Sequence, residues 1–309
     1  MYRYVALSLA MAATSMAQIP TNLTFHELTT QYLPFISLNT AYIFNDTRAS
    51  QQLANAVDNP VTIFLSLNTP FQQFEATPPP SGAAGQIEAA SVTSAALNSD
   101  LFQYLQLDGL HRSTSFNGTS FMRTRFNDTQ YEHVTAGQNI EVFRNETAFY
   151  VGTGIGFKSN VLIPDLDFAG GIIHIVDHPM APPYSLGNTG TVLSIDAIAG
   201  IIQASEKGPS PSFLPNIQNS GDVTVFAPQN SALNNISIAS PQIAGNFVVS
   251  GPVLYSTALT AGTNFLTTGK TRLFVTTNAN GAIFVNGSRI IESDILTANG
   301  VVHVIESPF

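Results

Sequence analysis

The sequence contains no cysteine and no tryptophan. Without cysteine the folded chain can have no disulfide, no thiolate nucleophile and no zinc site with thiolate ligands. Stability must therefore come from packing, and a hydrophobic content of 44% is sufficient to build a core.

Charged side chains are also scarce, at 10% of the sequence against roughly 25% in typical soluble domains. The net charge is −9, and no cluster of Lys or Arg is dense enough to neutralise a row of phosphates. We therefore expect no nucleic-acid partner. With so few charges, Ser, Thr, Asn, Gln and attached sugars must keep the surface hydrated, which is typical of an extracellular protein.

The first residues are typical of a secretory signal peptide. Arg3 supplies a positive charge, an apolar run extends from Val5 to Ala13, and small residues precede Gln18. The run is shorter than the roughly 20 apolar residues that a transmembrane helix needs. The sequence therefore predicts cleavage after Ala17, with residues 1–17 as the signal peptide, and a secreted, extracellular product without a transmembrane anchor.

Two segments recur in the same order in the two halves of the chain. Residues 61–68, VTIFLSLN, are echoed by residues 223–230, VTVFAPQN. Residues 165–179 align without a gap on residues 294–308, with Asp, Ala, Gly, His and Pro at the same offsets. A repeated pair of motifs in fixed order indicates two copies of one domain.

The copies are predicted to occupy residues 18–183 and 184–309, joined by a proline-containing linker. The first copy has more residues between the two motifs. One predicted insertion is the Pro/Gly/Ser stretch at residues 77–85, which cannot continue a helix. A second candidate is the stretch from Ser113 to Gln130.

Apolar periodicity predicts a helix early in the second copy and strands late in it. Val192, Ile195, Ile198 and Ile202 fall at spacings of three and four. Short β-branched and aromatic runs between Asn/Gly turns predict strands at residues 223–226, 272–277, 282–285 and 300–305. Helices followed by strands indicate an α+β domain.

Two segments of the second copy resemble the signatures of the fasciclin family. Residues 224–232, TVFAPQNSA, fit the form T-V-F-A-P-x-N-x-A, and residues 299–305, NGVVHVI, fit N-G-x-x-H-x-I, with Glu306 in place of the following Asp. The first copy is degenerate, because Leu65 and Ser66 replace Ala-Pro and Gly170 replaces the Asn. The resemblance implies two tandem fasciclin-like domains, each a β-sandwich-like wedge with packed helices.

The same resemblance implies a non-enzymatic, secreted glycoprotein with a role in cell adhesion or in association with the extracellular matrix or cell wall. The implied partner is a matrix or wall component, either a protein or a polysaccharide. Many family members carry a Tyr-His pair linked to adhesion through integrins. The corresponding residues 104–109 and 246–251 lack the His, so an integrin-type contact is not expected.

Elementary chemistry gives these motifs a structural role. Phe226 is suited to a core, Asn-Gly to a turn, and a lone His in a strand to an internal hydrogen bond. We predict a structural role for the motif residues Thr224, Phe226, Pro228, Asn230, Asn299, Gly300, His303 and His174.

No motif with a catalytic, cofactor or metal-binding mechanism is present. His174 and His178 would chelate a metal on a helix, but on a strand they lie about 13 Å apart. The glycines from Gly152 to Gly156 lack the third glycine of a dinucleotide loop, since Phe157 stands there. We therefore predict no enzyme, cofactor or metal.

Two alternative functions stay open at the level of sequence. The acids Asp165, Asp167, Asp294 and Glu306 could form the carboxylate pair of a secreted carbohydrate-active enzyme, if they lay roughly 5–10 Å apart across a cleft. The chain could also carry small apolar ligands between its two domains.

Seven Asn-x-Ser/Thr sequons are candidates for N-glycosylation. They are Asn22, Asn45, Asn117, Asn127, Asn145, Asn235 and Asn286. The sequence closes on the second-copy strand motif at residues 300–309 rather than on a hydrophobic tail, so no lipid anchor is expected.

Overall fold

The computed structural model describes residues 19–68 and 99–309, except residues 21, 129–131, 155, 208–215, 236, 237 and 239. The predicted signal peptide at 1–17 and the predicted loop insertion at 77–85 lie outside the described residues. The side chain of Asn235 also lies outside the described residues. The described chain forms two seven-stranded sheets, each with its own hydrophobic core.

The first sheet has the strand order β2-β1-β7-β6-β5-β4-β3. Its strands are β1 (Val61–Ser66), β2 (Gln106–Asp108), β3 (Gly118–Arg123), β4 (Asn139–Arg144), β5 (Phe149–Gly152), β6 (Lys158–Phe168) and β7 (Gly171–Val176). β1 and β7 are parallel, while the other pairs are antiparallel. Every residue of β1 and β7 is buried, which explains why both read as nearly continuous apolar runs.

Among the described residues, this first unit has four helices: α1 (Phe25–Tyr32), α2 (Ser37–Asn45), α3 (Thr47–Ala54) and α4 (Ser99–Tyr104). α1 begins with a capping box, in which Thr24 and Glu27 satisfy each other's backbone N–H groups. Asp46 caps α3 by accepting from the Ala49 N–H. The buried faces of the helices join the strands in one core that runs from Phe25 to Met180.

The second sheet has the order β10-β11-β12-β13-β14-β8-β9. Its strands are β8 (Val223–Pro228), β9 (Val248–Ser250), β10 (Asn264–Leu266), β11 (Arg272–Thr277), β12 (Ile283–Val285), β13 (Ser288–Thr297) and β14 (Gly300–Ile305). β8 and β14 are parallel and fully buried. When β8 to β14 are matched in chain order with β1 to β7, the two sheets have the same strand order. The α+β class and the duplicated architecture expected from the sequence are therefore confirmed.

In the described part of the second half, three helices precede or interrupt the sheet: α5 (Leu186–Val192), α6 (Asp196–Lys207) and α7 (Pro241–Gly245). The single helix predicted through Val192 and Ile202 is in fact two, because Ser194 takes a left-handed conformation with φ 54°. Asn230 fixes this break. Its side chain donates to the Ser194 carbonyl at 2.8 Å and accepts from the Asp196 N–H at 3.0 Å.

The second predicted insertion, from Ser113 to Gln130, overlaps the longer connection of the structure only in its later part. The stretch from Ser113 to Arg123 holds a 3-10 turn and β3, which have counterparts in the 3-10 turn at Ser256–Ala258 and β10 of the second sheet. The longer connection of the first unit is instead residues 124–138, between β3 and β4. Composition did not separate a strand rich in polar residues from a loop.

Candidate functional site

Each sheet contains one buried histidine at the same place in the fold. His174 lies in β7 and His303 in β14, and both are fully buried. The parallel neighbour strand supplies a phenylalanine that stacks on each imidazole: Phe64 with a centroid distance of 5.2 Å, and Phe226 with 5.4 Å. The chain therefore builds one arrangement twice.

An aspartate at a bulge in the preceding strand faces each histidine. Asp165 in β6 and Asp294 in β13 have φ values of 62° and 63°, and both lie where the register with the next strand shifts. The left-handed backbone directs each N–H toward the ring. Asp165 N donates to Nδ1 of His174 at 3.2 Å, and Asp294 N donates to Nδ1 of His303 at 3.3 Å.

The other ring nitrogen binds a loop carbonyl. Nε2 of His174 donates to the His111 carbonyl at 2.9 Å, and Nε2 of His303 donates to the Leu254 carbonyl at 2.7 Å. Since Nδ1 accepts and Nε2 donates, both rings are neutral with the proton on Nε2. Both nitrogens of each ring thus have backbone partners.

A threonine of the first motif holds the same loop from its other side. The hydroxyl of Thr62 accepts from the His111 N–H at 2.8 Å, and the hydroxyl of Thr224 accepts from the Leu254 N–H at 2.8 Å. One loop residue in each domain is therefore bound through its N–H by the threonine and through its carbonyl by the histidine.

The two bulge carboxylates bind the start of a 3-10 turn. Asp165 Oδ1 accepts from the Ser113 N–H, and Asp294 Oδ1 accepts from the Ser256 N–H, each at 2.7 Å. These are the first residues of the turns Ser113–Ser115 and Ser256–Ala258, whose N–H groups lack partners within the turn. The carboxylates replace those missing partners.

Burial is the main reason that the pKa of both histidines is lowered. The Leu254 carbonyl and the Asp294 carboxylate act in the opposite direction on His303, and the His111 carbonyl and Asp165 do so on His174, but burial prevails. A proton on Nδ1 would also displace the aspartate N–H. The neutral form of each imidazole therefore fits the hydrogen-bonding groups around it.

The other motif residues lie close to this arrangement. Asn299 is 1% exposed, and its side-chain amide donates to the Ile217 and Ser220 carbonyls at 2.7 and 2.9 Å. Gly300 leaves no room for a side chain, because a Cβ there would lie 1.8 Å from the Val223 carbonyl oxygen. Pro228 ends β8 opposite Ile305.

The acids considered for glycoside hydrolysis are divided between the two sheets, and three of them are engaged in contacts within the fold. Asp165 and Asp294 belong to different sheets, and each binds its own 3-10 turn. Asp167 forms an ion pair with Arg112 at 2.7 Å. Glu306 is exposed just after β14.

Metal ligands do not gather either. Within the described part of the chain, no group of three or more His, Asp or Glu is placed to hold a metal ion. His174 is buried, whereas His178 is exposed and pairs with Asp177 at 2.8 Å. No helix among the described residues has the length and apolar character needed to cross a membrane.

The two domains meet beside the loop that His303 holds. Tyr255, between Leu254 and Ser256, stacks on Phe121 of β3 with a centroid distance of 4.0 Å and an interplanar angle of 13°. Its hydroxyl accepts from the Asn139 amide at 3.1 Å. Burial raises the pKa of Tyr255 to about 12.

The connection of residues 124–138 extends this junction. His133 N donates to the Ala298 carbonyl at 2.8 Å, and Thr135 N donates to Asp222 Oδ1 at 2.8 Å. Gly154 forms an isolated parallel bridge with Leu296. Three separate segments of the first domain thus bind the second.

A buried carboxylate also lies near the junction. Glu141 of β4 is 8% exposed, and burial raises its pKa, helped by the negative charge of Asp294. Tyr150 donates to Glu141 Oε1 at 3.4 Å, and Lys158 donates to the Tyr150 hydroxyl at 3.1 Å. Sequence reasoning missed this group, because its members belong to no motif and come together only through the pairing of β4, β5 and β6.

The sequons lie on the surface wherever their side chains are described. Asn22, Asn45, Asn117, Asn127, Asn145 and Asn286 are all exposed. Asn286 is the first residue of the β12–β13 turn and has a left-handed backbone with φ 48°.

Comparisons with known proteins agree with the repeated motifs. A model of the fasciclin domain matches residues 210–309. A fasciclin-like arabinogalactan protein of Arthroderma benhamiae is 29% identical over 88% of this chain and 63% of its own length. One of Cercospora beticola is 23% identical over 67% of this chain and 58% of its own length.

A third relative, a fasciclin-like arabinogalactan protein of Phaeosphaeria nodorum, is 25% identical over 67% of this chain and 66% of its own length. The chain thus spans about three fifths to two thirds of the curated relatives it matches. A solved FAS1 domain pair of the insect cell adhesion molecule fasciclin I aligns with 89% of this chain and 96% of its own, at 15% identity and a TM-score of 0.38. Residues 210–309 thus match the fasciclin domain, and the first half of the described chain repeats the strand order of the second.

Proposed function

We propose that this chain is a secreted, glycosylated, non-enzymatic protein that associates with a cell wall or extracellular matrix through its exposed surface. The names of the three fungal relatives support the class of protein. The exposure of Asn22, Asn45, Asn117, Asn127 and Asn145 supports glycosylation. The amide of Asn286 is instead bonded to the backbone of β11.

The proposal rests on the fact that the buried polar groups of the motifs bind the backbone of their own domain. In both domains the His ring, the bulge Asp and the motif Thr bind backbone groups of the same domain. We infer that His174 and His303 have a structural role, since neither ring has a nitrogen left to bind a ligand or move a proton. A partner would then be bound by exposed side chains.

We also infer that the domains divide at residues 183 and 184, as 18–183 and 184–309, after a signal peptide at 1–17. The two hydrophobic cores support this division, because the first ends at Met180 and the second begins at Leu186.

Expression of the full chain in a eukaryotic secretory host tests the proposal. The protein should be recovered from the medium or the wall fraction, and the mature chain should begin near Gln18. An N-glycan-removing amidase should lower its apparent mass. A full-length, unglycosylated protein retained inside the cell would contradict the proposal.

A further inference from the structure

The outer surface of the second sheet carries an uncovered row of apolar and basic side chains. Alternate residues of β11 and β12, namely Leu273, Val275 and Val285, point into the core. The residues between them point outward. We call this surface the β10–β13 face, and its residues are Leu266, Arg272, Phe274, Phe284, Arg289 and Ile291.

Three of the four apolar members of the face are open to solvent, and the fourth, Phe284, is half-buried. Phe274 is 53% exposed, Leu266 52% and Ile291 45%. The strand pairing brings them into one area, since Leu266 pairs with Arg272 two residues before Phe274. Contiguous exposed apolar groups rimmed by polar ones mark interaction surfaces more often than isolated ones do.

The charged members of the face are both positive. Arg272 binds the neutral amide of Asn264 at 2.6 Å, and among the described residues no carboxylate oxygen lies within 4 Å of Arg272 or Arg289. Glu306 follows β14 beside Arg289, but it forms no ion pair with it. In a chain of net charge −9, two guanidinium groups on one face that have no carboxylate partner among the described residues favour an anionic partner.

The strand register arranges these side chains along a diagonal. Phe284 pairs with Thr276 on one side and with Arg289 on the other. With roughly 4.8 Å between strands and 3.3 Å per residue, Arg272 and Arg289 lie about 16 Å apart, with Phe274 and Phe284 between them. An extended polymer would meet cation, ring, ring and cation in turn.

The turn beside the face holds β11 in position. Asn286 Oδ1 accepts from the Phe274 N–H at 2.7 Å, and its Nδ2 donates to the Arg272 carbonyl at 3.1 Å. Both residues of β11 that contribute to the face are therefore fixed through their backbones.

We propose that the β10–β13 face binds a linear acidic polysaccharide. The C–H faces of sugar rings pack on Phe274 and Phe284, and sugar carboxylates pair with Arg272 and Arg289, whose planar guanidinium groups suit bidentate contacts. An acidic peptide is less suitable, because a peptide gains most by adding its backbone to the free edge of β10. This site rests on the proposed function and gives it a partner class.

Binding of the purified, full-length secreted protein to polygalacturonate tests the site, with a neutral β-1,3-glucan and polyglutamate as comparison polymers. The wild type should bind polygalacturonate best, and binding should weaken as ionic strength rises from about 0.05 to 0.5 M. The double variant Arg272→Gln, Arg289→Gln should bind about tenfold more weakly, and Phe274→Ala several-fold more weakly. The control variant Arg123→Gln, Lys207→Gln removes the same charge elsewhere and should bind like the wild type.

The opposite results would overturn the site. Equal binding by the face variants, equal loss in the control variant, stronger binding of polyglutamate or of the neutral glucan, or no binding to any polymer would each contradict it. If the wild type remains associated with walls while failing to bind polygalacturonate, the proposed function stands and only this surface assignment fails. Thermal unfolding of each variant shows that its fold is retained, as expected for substitutions of exposed side chains.

Discussion

Replacing His303 by Phe should destabilise the second domain by about 2 to 6 kcal/mol. Phe keeps an aromatic ring that can stack on Phe226, but it leaves two buried groups without partners, namely the Leu254 carbonyl and the Asp294 N–H. Each unsatisfied group costs about 1–3 kcal/mol. His303→Ala should be still more destabilising, because a cavity adds to the same loss and large-to-small core changes cost about 2–5 kcal/mol.

Urea unfolding followed by circular dichroism measures these differences. His174→Phe should give a similar loss in the first domain, since His174 has equivalent partners. His178→Ala is the matched control and should be within about 0.5 kcal/mol of the wild type, because His178 is exposed. If His303→Phe were as stable as the control, the hydrogen bonds of the ring would not stabilise the fold, and the structural reading of both histidines would be refuted.

Three further predictions concern pH, a glycine and the domain junction. Because the folded-state pKa of His174 and His303 is lowered, the unfolded chain binds more protons below about pH 6.5, so the free energy of unfolding should fall as pH drops below that value. A pH series of urea titrations checks this, and a variant with both residues changed to Phe should show a shallower fall. Gly300→Ala should prevent normal folding of the second domain, since its Cβ would lie 1.8 Å from the Val223 carbonyl. Soluble Gly300→Ala protein with wild-type circular dichroism would contradict this. Tyr255→Ala should separate the unfolding transitions of the two domains, whereas Tyr255→Phe, which keeps the Phe121 stack and loses only the Asn139 hydrogen bond, should cost about 1 kcal/mol. Calorimetry distinguishes these outcomes, and identical transitions in all three proteins would show that the junction does not couple the domains.

The repeated motifs made the duplicated α+β architecture predictable, because a motif pair in fixed order reports the two parallel central strands of each sheet. The strand predicted at residues 272–277 coincides with β11. It is a short run of β-branched and aromatic residues, and Asn/Gly turns border it. Where local sequence pattern and burial in the fold agree, the sequence alone is sufficient to predict the strand.

Prediction failed where tertiary contacts override local pattern. The apolar spacing through Val192 and Ile202 continues across Ser194, but Asn230, 36 residues away, breaks the helix there. β10 was missed because Asn264, Phe265 and Leu266 form a short edge strand that lacks a buried face. Neither the helix break at Ser194 nor the strand β10 has a signal in the neighbouring sequence.

The candidate site was only partly visible in the sequence. His174 and His303 were found because they recur at one offset, and Asp165 and Asp294 recur with them. The hydrogen bond from each Asp N–H to the His ring depends on a bulge in which the Asp has a positive φ. Non-glycine residues seldom adopt a positive φ, and no sequence pattern predicts it here. Tyr255 and the Glu141 group lie outside both motifs, so only the structure identifies them.

Binding of purified protein to isolated wall material tests the central claim most directly, which is that recognition takes place on the surface and not at the buried histidines. The folded fraction of His303→Phe, held at low temperature, should bind walls like the wild type, while the double variant Arg272→Gln, Arg289→Gln should bind about tenfold more weakly. Loss of binding by folded His303→Phe, with full binding by the double arginine variant, would contradict the account and place recognition at the histidine site.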